Sequence, residues 1–220
     1  MIDTRTNNAK IKKKRSYRVK KRIFDILLGI IGLIPLTIAL IFLVIPYKTG
    51  KNKGPMFFKQ ERIGRNGELF QIYKFRSMKV NADSILKSDE ALYEKYVESG
   101  YKLEPEEDPR ITNLGRFIRK TSIDELPQFI NVIKGEMSLI GPRPIVEEEL
   151  QEYRKENLEN AFLSMKPGIT GVWQTSGRSE VGYPDRVFLE TSYCDQESIT
   201  FDTKTVLMTA VQVFKQEGAY

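Results

Sequence analysis

The segment from Ile23 to Ile45 contains one charged residue, Asp25, and follows directly on a basic stretch, Lys10 to Arg22, that includes Lys12, Lys13, Lys14, Arg15, Arg18, Lys20 and Lys21. About 20 apolar residues is the length that spans a bilayer core as a helix. A secretory signal also begins with positive charge, but its apolar region runs to roughly 7–15 residues and ends in small side chains. Here the segment ends Leu43-Val44-Ile45-Pro46-Tyr47. Positive charge marks the cytoplasmic side of a membrane, and both flanks carry it, with Lys48, Lys51, Lys53 and Lys59 following. Pro35 lies near the middle, where the missing N–H bends or breaks a helix. The charges favour a re-entrant membrane helix over residues 23–47 that bends at Pro35 and returns to the same face. A straight span with a kink is the alternative that membrane helices tolerate. On the first reading, residues 1–22 form a basic cytoplasmic segment and residues 48–220 a cytoplasmic catalytic domain.

Lys and Arg number 35 against 29 Asp and Glu, a net charge of +6. That balance suits anionic partners and does not choose among nucleic acid, lipid headgroups and nucleotide phosphates. Two absences are sharper. There is no histidine, which removes Ser-His-Asp triads and His-ligated metals. The single cysteine, Cys194, rules out an intrachain disulfide or a CxxC metal site. Any catalysis therefore falls to carboxylates and cations.

After the apolar segment the pattern is α/β and mostly helical. Met56 to Ile63 and Leu69 to Met78 read as a β-hairpin around Asn66-Gly67, a favoured type I′ pair. Lys59 and Arg62 lie on the first arm, Lys74 and Arg76 on the second. Lys74 and Arg76, two apart, share a strand face: either a solvated edge or a cationic wall for phosphate. Helices are expected over residues 81–99, 146–165 and 203–216. Their apolar stripes are Ile85, Leu92, Tyr96 and Val97; Leu150, Tyr153, Leu158, Ala161 and Phe162; and Leu207, Ala210, Val211 and Phe214. Such stripes are packed core or, beside a membrane, lie along headgroups.

The run Gly115-Arg116-Phe117-Ile118-Arg119-Lys120-Thr121-Ser122-Ile123-Asp124-Glu125-Leu126-Pro127-Gln128 carries the chemistry, with Gly141-Pro142-Arg143-Pro144 following. Asp124 and Glu125 stand where a helix begins, Pro127 is tolerated in its first turn, and Gly135 is placed to end it. Ser122-x-x-Glu125 also matches a capping box, which would make the acids structural. Arg116, Arg119, Lys120 and Arg143 around them favour chemistry. A helix start and nearby arginines hold phosphate, and an aspartate can attack phosphorus to form an acyl phosphate. Crowded anions with oxygen ligands alone call for Mg²⁺. GxGxxG and GxxxxGK[ST] are absent.

At these residues the chain resembles the bacterial sugar transferases, the monotopic polyprenyl-phosphate hexose-1-phosphate transferases. The resemblance runs from about Lys21 through Lys21-Arg22-Ile23-Phe24-Asp25, Gln60-Glu61-Arg62-Ile63-Gly64, Tyr73-Lys74-Phe75-Arg76-Ser77-Met78, Asp108-Pro109-Arg110-Ile111-Thr112, the Asp124 run, Gly141-Pro142-Arg143-Pro144 and Lys166-Pro167-Gly168-Ile169-Thr170-Gly171. It implies that Asp124 attacks the sugar-bearing phosphate of a UDP-sugar, releasing UMP. Undecaprenyl phosphate then takes the phosphosugar, the opening step of exopolysaccharide or capsule repeat-unit assembly. By the same resemblance Glu125 completes a dyad, Arg119 holds phosphate, Mg²⁺ sits against Asp124, and the domain faces the cytoplasm from the bacterial inner membrane. Lys59, Arg62, Lys74, Arg76 and Arg143 are candidates for the nucleotide or its phosphates. The family's usual Ser-Pro break is Ile34-Pro35 here. Gly171-Val172-Trp173-Gln174-Thr175-Ser176-Gly177-Arg178-Ser179 and the terminal Gly218-Ala219-Tyr220 resemble members using glucose or galactose. The different class to weigh is a non-catalytic membrane adaptor; no zinc-finger, RNP or helix-turn-helix signature supports nucleic acid as its partner. Sequence leaves open the hexose, the lipid length and whether the chain forms oligomers.

Overall fold

The computed structural model describes residues 15–99, 101, 103–177 and 181–215. Lys10 to Lys14, Arg178-Ser179 and Gly218-Ala219-Tyr220 lie outside them. In chain order the elements are helix α1 (Arg15–Lys48), strands β1 (Phe57–Ile63) and β2 (Leu69–Phe75), helices α2 (Ala82–Ser88), α3 (Glu90–Glu98), α4 (Asn113–Lys120) and α5 (Gln128–Lys134), strand β3 (Ser138–Ile140), helices α6 (Glu147–Lys155) and α7 (Glu159–Leu163), strand β4 (Gly168–Thr170), and helices α8 (Val172–Thr175), α9 (Asp185–Gln196) and α10 (Ile199–Lys215). The chain is mostly helical, with two small sheets.

Helix α1 is 34 residues long, about 50 Å at 1.5 Å per residue. It has two faces. Asp25, Leu36, Ala39, Leu43 and Tyr47 recur at helical spacing on the buried one. Gly29 and Gly32 belong to the same stripe, and their lack of side chains lets Ile133 and Phe129 of α5 approach. Leu27, Ile30, Ile31, Ile34, Ile38, Ile41, Phe42 and Ile45 are exposed on the other. The helix does not break at Pro35: it continues through Pro35 and Pro46. Proline leaves the Ile31 carbonyl without its usual donor. Packing supports the helix on both sides of that gap, with Phe129 against Gly32 and the Leu36 cluster beyond it.

The buried face of α1 is held along its length. Asp25 accepts from Ser138 Oγ at 3.0 Å and Leu139 N at 3.1 Å. Lys21 reaches Asp202 of α10 at 2.6 Å, and Arg22 donates to the Val132 and Ile133 carbonyls, each at 2.6 Å. At the far end the Tyr47 hydroxyl donates to the Arg76 carbonyl.

The hairpin forms as expected. β1 pairs antiparallel with β2 in the register Lys59↔Tyr73 and Arg62↔Phe70. Asn66 and Gly67, at φ 63° and 82°, supply the two positive values that a type I′ turn requires. The second sheet was not foreseen. β3 and β4 pair in parallel, Ser138 with Gly168 and Ile140 with Thr170. Its end is a backbone dovetail: Gly141 N donates to Thr170 O at 3.0 Å and Gly168 N to Pro142 O at 2.8 Å. A Cβ on Gly168 would lie 2.2 Å from Gly141 N, so no side chain fits there.

Three expected helices differ in detail. Residues 81–99 form two helices, because the Asp89 side chain accepts from Leu92 N and starts α3 afresh. Leu86 is the buried residue there, while Val97 is exposed. Residues 146–165 divide where Asn157 takes a left-handed turn at φ 58°, although Leu150, Tyr153 and Phe162 are buried as expected. In α10 the apolar side faces outward, with Leu207, Met208 and Val211 exposed. Its inward side carries buried Asp202 and Thr205, with Phe201 and Val206 against the core; Asp202 takes bonds from Lys21 and from the Tyr193 hydroxyl, 2.6 Å each.

Helix α4 sits on the chain just after β2. Thr112 caps it through Gly115 N, and a Cβ on Gly115 would stand 1.8 Å from the Ser77 carbonyl oxygen. That atom is backbone and cannot step aside. Gly115→Ala is expected to destabilise the fold by about 1–3 kcal/mol, the usual cost of overpacking. Gly182→Ala, with nothing within 4 Å of its Cβ, should be near neutral. Thermal unfolding of the two variants side by side checks this.

Candidate active site

Asp124 is carried on a tight turn between α4 and α5. Ser122 adopts the left-handed conformation at φ 55°. A 3-10 turn, Ile123–Glu125, then feeds through Leu126 and Pro127 into α5, which Gly135 ends at φ 88°. Ile123 and Leu126 on either side pack on the cluster formed by α1, Phe75 and Ile118, so the turn rests on α1. The capping-box reading fails: the Ser122 side chain makes no cap, and the Glu125 carboxylate is engaged by Lys74 Nζ at 2.9 Å.

Asp124 is 8% exposed. Burial pushes its carboxyl up to about 6. Lys74 pulls it down, Glu125 pushes it up, and Arg119 and Arg143 pull it down more weakly. Three cations from three segments thus bear on one buried carboxylate. A cleft beside it is lined by Arg62, Lys74, Glu125, Gln128, Arg143 and Gln174. Arg62 comes from the hairpin face that also carries Gln60, Ile72 and Lys74. It donates to Gln60 Oε1 at 2.6 Å and to Glu149 at 3.5 Å. Its buried Nε has no protein acceptor among the described residues. Burial also lowers the Arg62 pKa, so an anion in the cleft would stabilise its charge. Arg143 follows the β3–β4 dovetail. Its backbone N–H donates to Glu190 at 3.2 Å, and its guanidinium lies 5.8 Å from the Trp173 ring centre.

Two expected site residues are elsewhere. Arg76 falls just past the end of β2 and is buried, donating to the carbonyls of Pro55, Met78 and Asn52 and lying over the Tyr47 ring. It ties the hairpin to the end of α1 and offers no donor to the cleft. Lys59 pairs across the hairpin with Tyr73, 5.3 Å from the ring centre. It is an odd number of residues from Arg62, so the period of two puts it on the opposite face. Arg119 lies in the last turn of α4, half-buried, shortly before Asp124.

Sequence reading missed the support behind the cleft. Glu149 of α6 takes Arg62, Arg186 at 3.3 Å and the Tyr183 hydroxyl at 3.1 Å. Arg186 also bonds Glu190 at 3.3 Å, and its guanidinium stacks over Trp173 and Tyr183. The local signal was the Arg186–Glu190 pair four apart on α9; the contact with Glu149 is long-range and leaves none.

Fold and site together define a class: a helix-anchored α/β domain whose buried carboxylate stands among cations suited to phosphate. Residues 16–216 match the bacterial sugar transferase family, and the chain belongs to that family. It is 44% identical over 210 residues to the undecaprenyl-phosphate galactose phosphotransferase of Salmonella typhimurium, covering 94% of this chain and 43% of that protein. It is 41% identical to the exopolysaccharide production protein ExoY of Sinorhizobium fredii, covering 92% and 88%. It is 36% identical to the UDP-glucose:undecaprenyl-phosphate glucose-1-phosphate transferase of Escherichia coli, covering 92% and 42%. The chain spans less than half the length of several of these relatives and most of the length of others.

A carboxyl held above its unfolded value near 3.8 favours folding while protonated, and that advantage is lost as pH rises toward 6. Above 6 the buried charge costs about 3 kcal/mol relative to the unfolded chain. Asp124→Asn removes that charge. It is expected to raise the unfolding temperature at pH 8 and to lose the gain near pH 4. A pH series of thermal melts tests it, and an equal shift at both pH values would contradict the assignment.

Proposed function

We propose that this chain transfers hexose-1-phosphate, from UDP-glucose or UDP-galactose, to undecaprenyl phosphate. The observation that carries the reading is Asp124: a carboxylate with its pKa raised to about 6 by burial, yet surrounded by Lys74, Arg119 and Arg143. Such a group is ionised near neutral pH but poorly solvated, which leaves it reactive. Asp124 Oδ attacks the phosphorus bearing the sugar, the bond to the UMP oxygen breaks, and UMP leaves. An oxygen of the lipid phosphate then attacks that phosphorus, the acyl–phosphorus bond breaks and Asp124 is regenerated. Arg62, Arg143 and Arg119 spread over the phosphate charge, as arginines do in phosphoryl transfer. Glu125, held by Lys74, is the base that keeps the lipid phosphate dianionic. An adaptor would have no use for a buried carboxylate among cations.

The oxygen donors fit magnesium, which is commonly held by one or two carboxylates together with substrate phosphates. Asp124 would hold it, and the ion would offset phosphate charge. Among the described residues there is no larger cluster of acids to form an all-protein cage.

The exposed stripe of α1 is the membrane face. The same domain packs against α1 from Lys21 to Tyr47, so both ends of the helix stay on one side. The helix lies along the cytoplasmic leaflet of the bacterial inner membrane, with no break at Pro35.

Purified protein with Mg²⁺, undecaprenyl phosphate and a panel of UDP-sugars is expected to release UMP with UDP-glucose or UDP-galactose. Asp124→Asn should abolish release, and normal turnover by that variant would sink the nucleophile assignment. The rate should rise with pH through about 6 as Asp124 ionises. Tags on both termini should be protease-accessible only from the cytoplasmic side; a tag found outside would refute the one-sided anchor.

A further inference from the structure

A second cleft, sharing no residue with the first, opens at the N-terminal end of α1. Arg18, Lys21 and Arg22 of α1, Arg65 of the hairpin turn and Lys166 before β4 bring five cations to its walls, against Asp25 and Glu197. It lies at the opposite end of α5 from Asp124, because Arg22 binds the carbonyls of Val132 and Ile133 in that helix's last turn. Lys21 is neutralised by Asp202 and Asp25, at 2.6 and 3.7 Å. The acceptors of Arg22 are neutral carbonyls, so its charge remains. Arg22 Nη2 and Lys166 Nζ lie 3.4 and 3.6 Å from one point, the Cβ position of Gly135. The two nitrogens are therefore no farther apart than those distances together. Among the described residues neither Arg22, Arg65 nor Lys166 has a salt-bridge partner. Burial lowers the Lys166 pKa, and Arg22 and Arg65 lower it further. Like charges held together in a half-buried cleft are costly unless an anion joins them.

We infer that this cleft binds a phosphate group between Arg22, Arg65 and Lys166, separately from the Asp124 site. Its position suits the headgroup of an anionic phospholipid. The exposed apolar stripe of α1 begins beside it, at Val19 and Ile23, where basic side chains meet lipid phosphates. Soluble phosphate has the same chemistry and would fill the same place.

Lys166 reports on its own occupancy. The full-length protein is treated with an amine-acylating reagent and Lys166 modification is measured by peptide mass spectrometry. Three conditions are compared with plain micelles: micelles with inorganic phosphate, nanodiscs of phosphatidylglycerol, and nanodiscs of a phosphate-free galactolipid. Protection by phosphatidylglycerol beyond that by galactolipid supports a lipid headgroup; protection by inorganic phosphate in micelles supports a soluble anion. Arg65→Gln, which leaves Lys166 to be read, is expected to weaken whichever protection is seen by roughly tenfold, as loss of one charged contact does. Equal reactivity in all conditions overturns the inference. So does protection that galactolipid matches, with none from phosphate, since that is simple shielding; so does protection that Arg65→Gln leaves intact.

Discussion

One buried carboxylate sets how helix α1 is turned against the rest of the molecule. Asp25 is the only charge between Ile23 and Ile45, and in an apolar helix such a group must find donors or remain costly. Ser138 Oγ and Leu139 N provide them. That clip fixes the rotation of α1, and with it which residues meet the domain. Gly29, Gly32, Leu36, Ala39, Leu43 and Tyr47 follow Asp25 at helical spacing and all turn inward. The isoleucines of the opposite face have no choice but to turn outward.

From there the path to the chemistry is short. The inward face of α1 supports α5 in its first half and the Ile123–Leu126 turn in its second. Asp124 is desolvated because the turn that carries it is pressed onto that face. Its ionisation is recovered by cations from elsewhere: Lys74 from the hairpin, Arg119 from α4, and Arg143 from the dovetailed glycines. Behind them Glu149 and Glu190 hold Arg62 and Arg186, so the cationic wall is braced by buried acids. In this geometry the helix that gives the chain its apolar surface also raises the pKa of its central carboxylate.

Much of this was legible because it is local. Runs rich in aromatic and branched residues on either side of Asn66-Gly67 gave the hairpin and its turn, and Pro127 and Gly135 bracketed α5. The company kept by Asp124 and Glu125 pointed to the site. What escaped was long-range or decided by packing. β3 and β4 are three residues each, too short for alternation to register, and they pair only because Gly141 and Gly168 allow backbone contact. Arg76 shares strand spacing with Lys74, but the strand ends between them and the guanidinium turns to backbone carbonyls. Pro35 reads as a break, yet the helix continues through it, with neighbours packed on both sides. The outward apolar side of α10 is likewise invisible to a stripe, which cannot say whether its partner is protein or lipid.

The continuous docking of α1 has a consequence for handling the protein. Anchors joined by a linker can be cut away to leave a soluble catalytic fragment. Here removal of residues before Tyr47 would strip the cover from Phe75, Ile118, Val132 and Leu139, all buried in clusters that α1 completes. Asp202 would lose its lysine, Lys21, and carrying the cut through Tyr47 would also take the ring beneath Arg76. Helix α1 and the residues that follow it share one core, so there is no boundary between them at which to truncate.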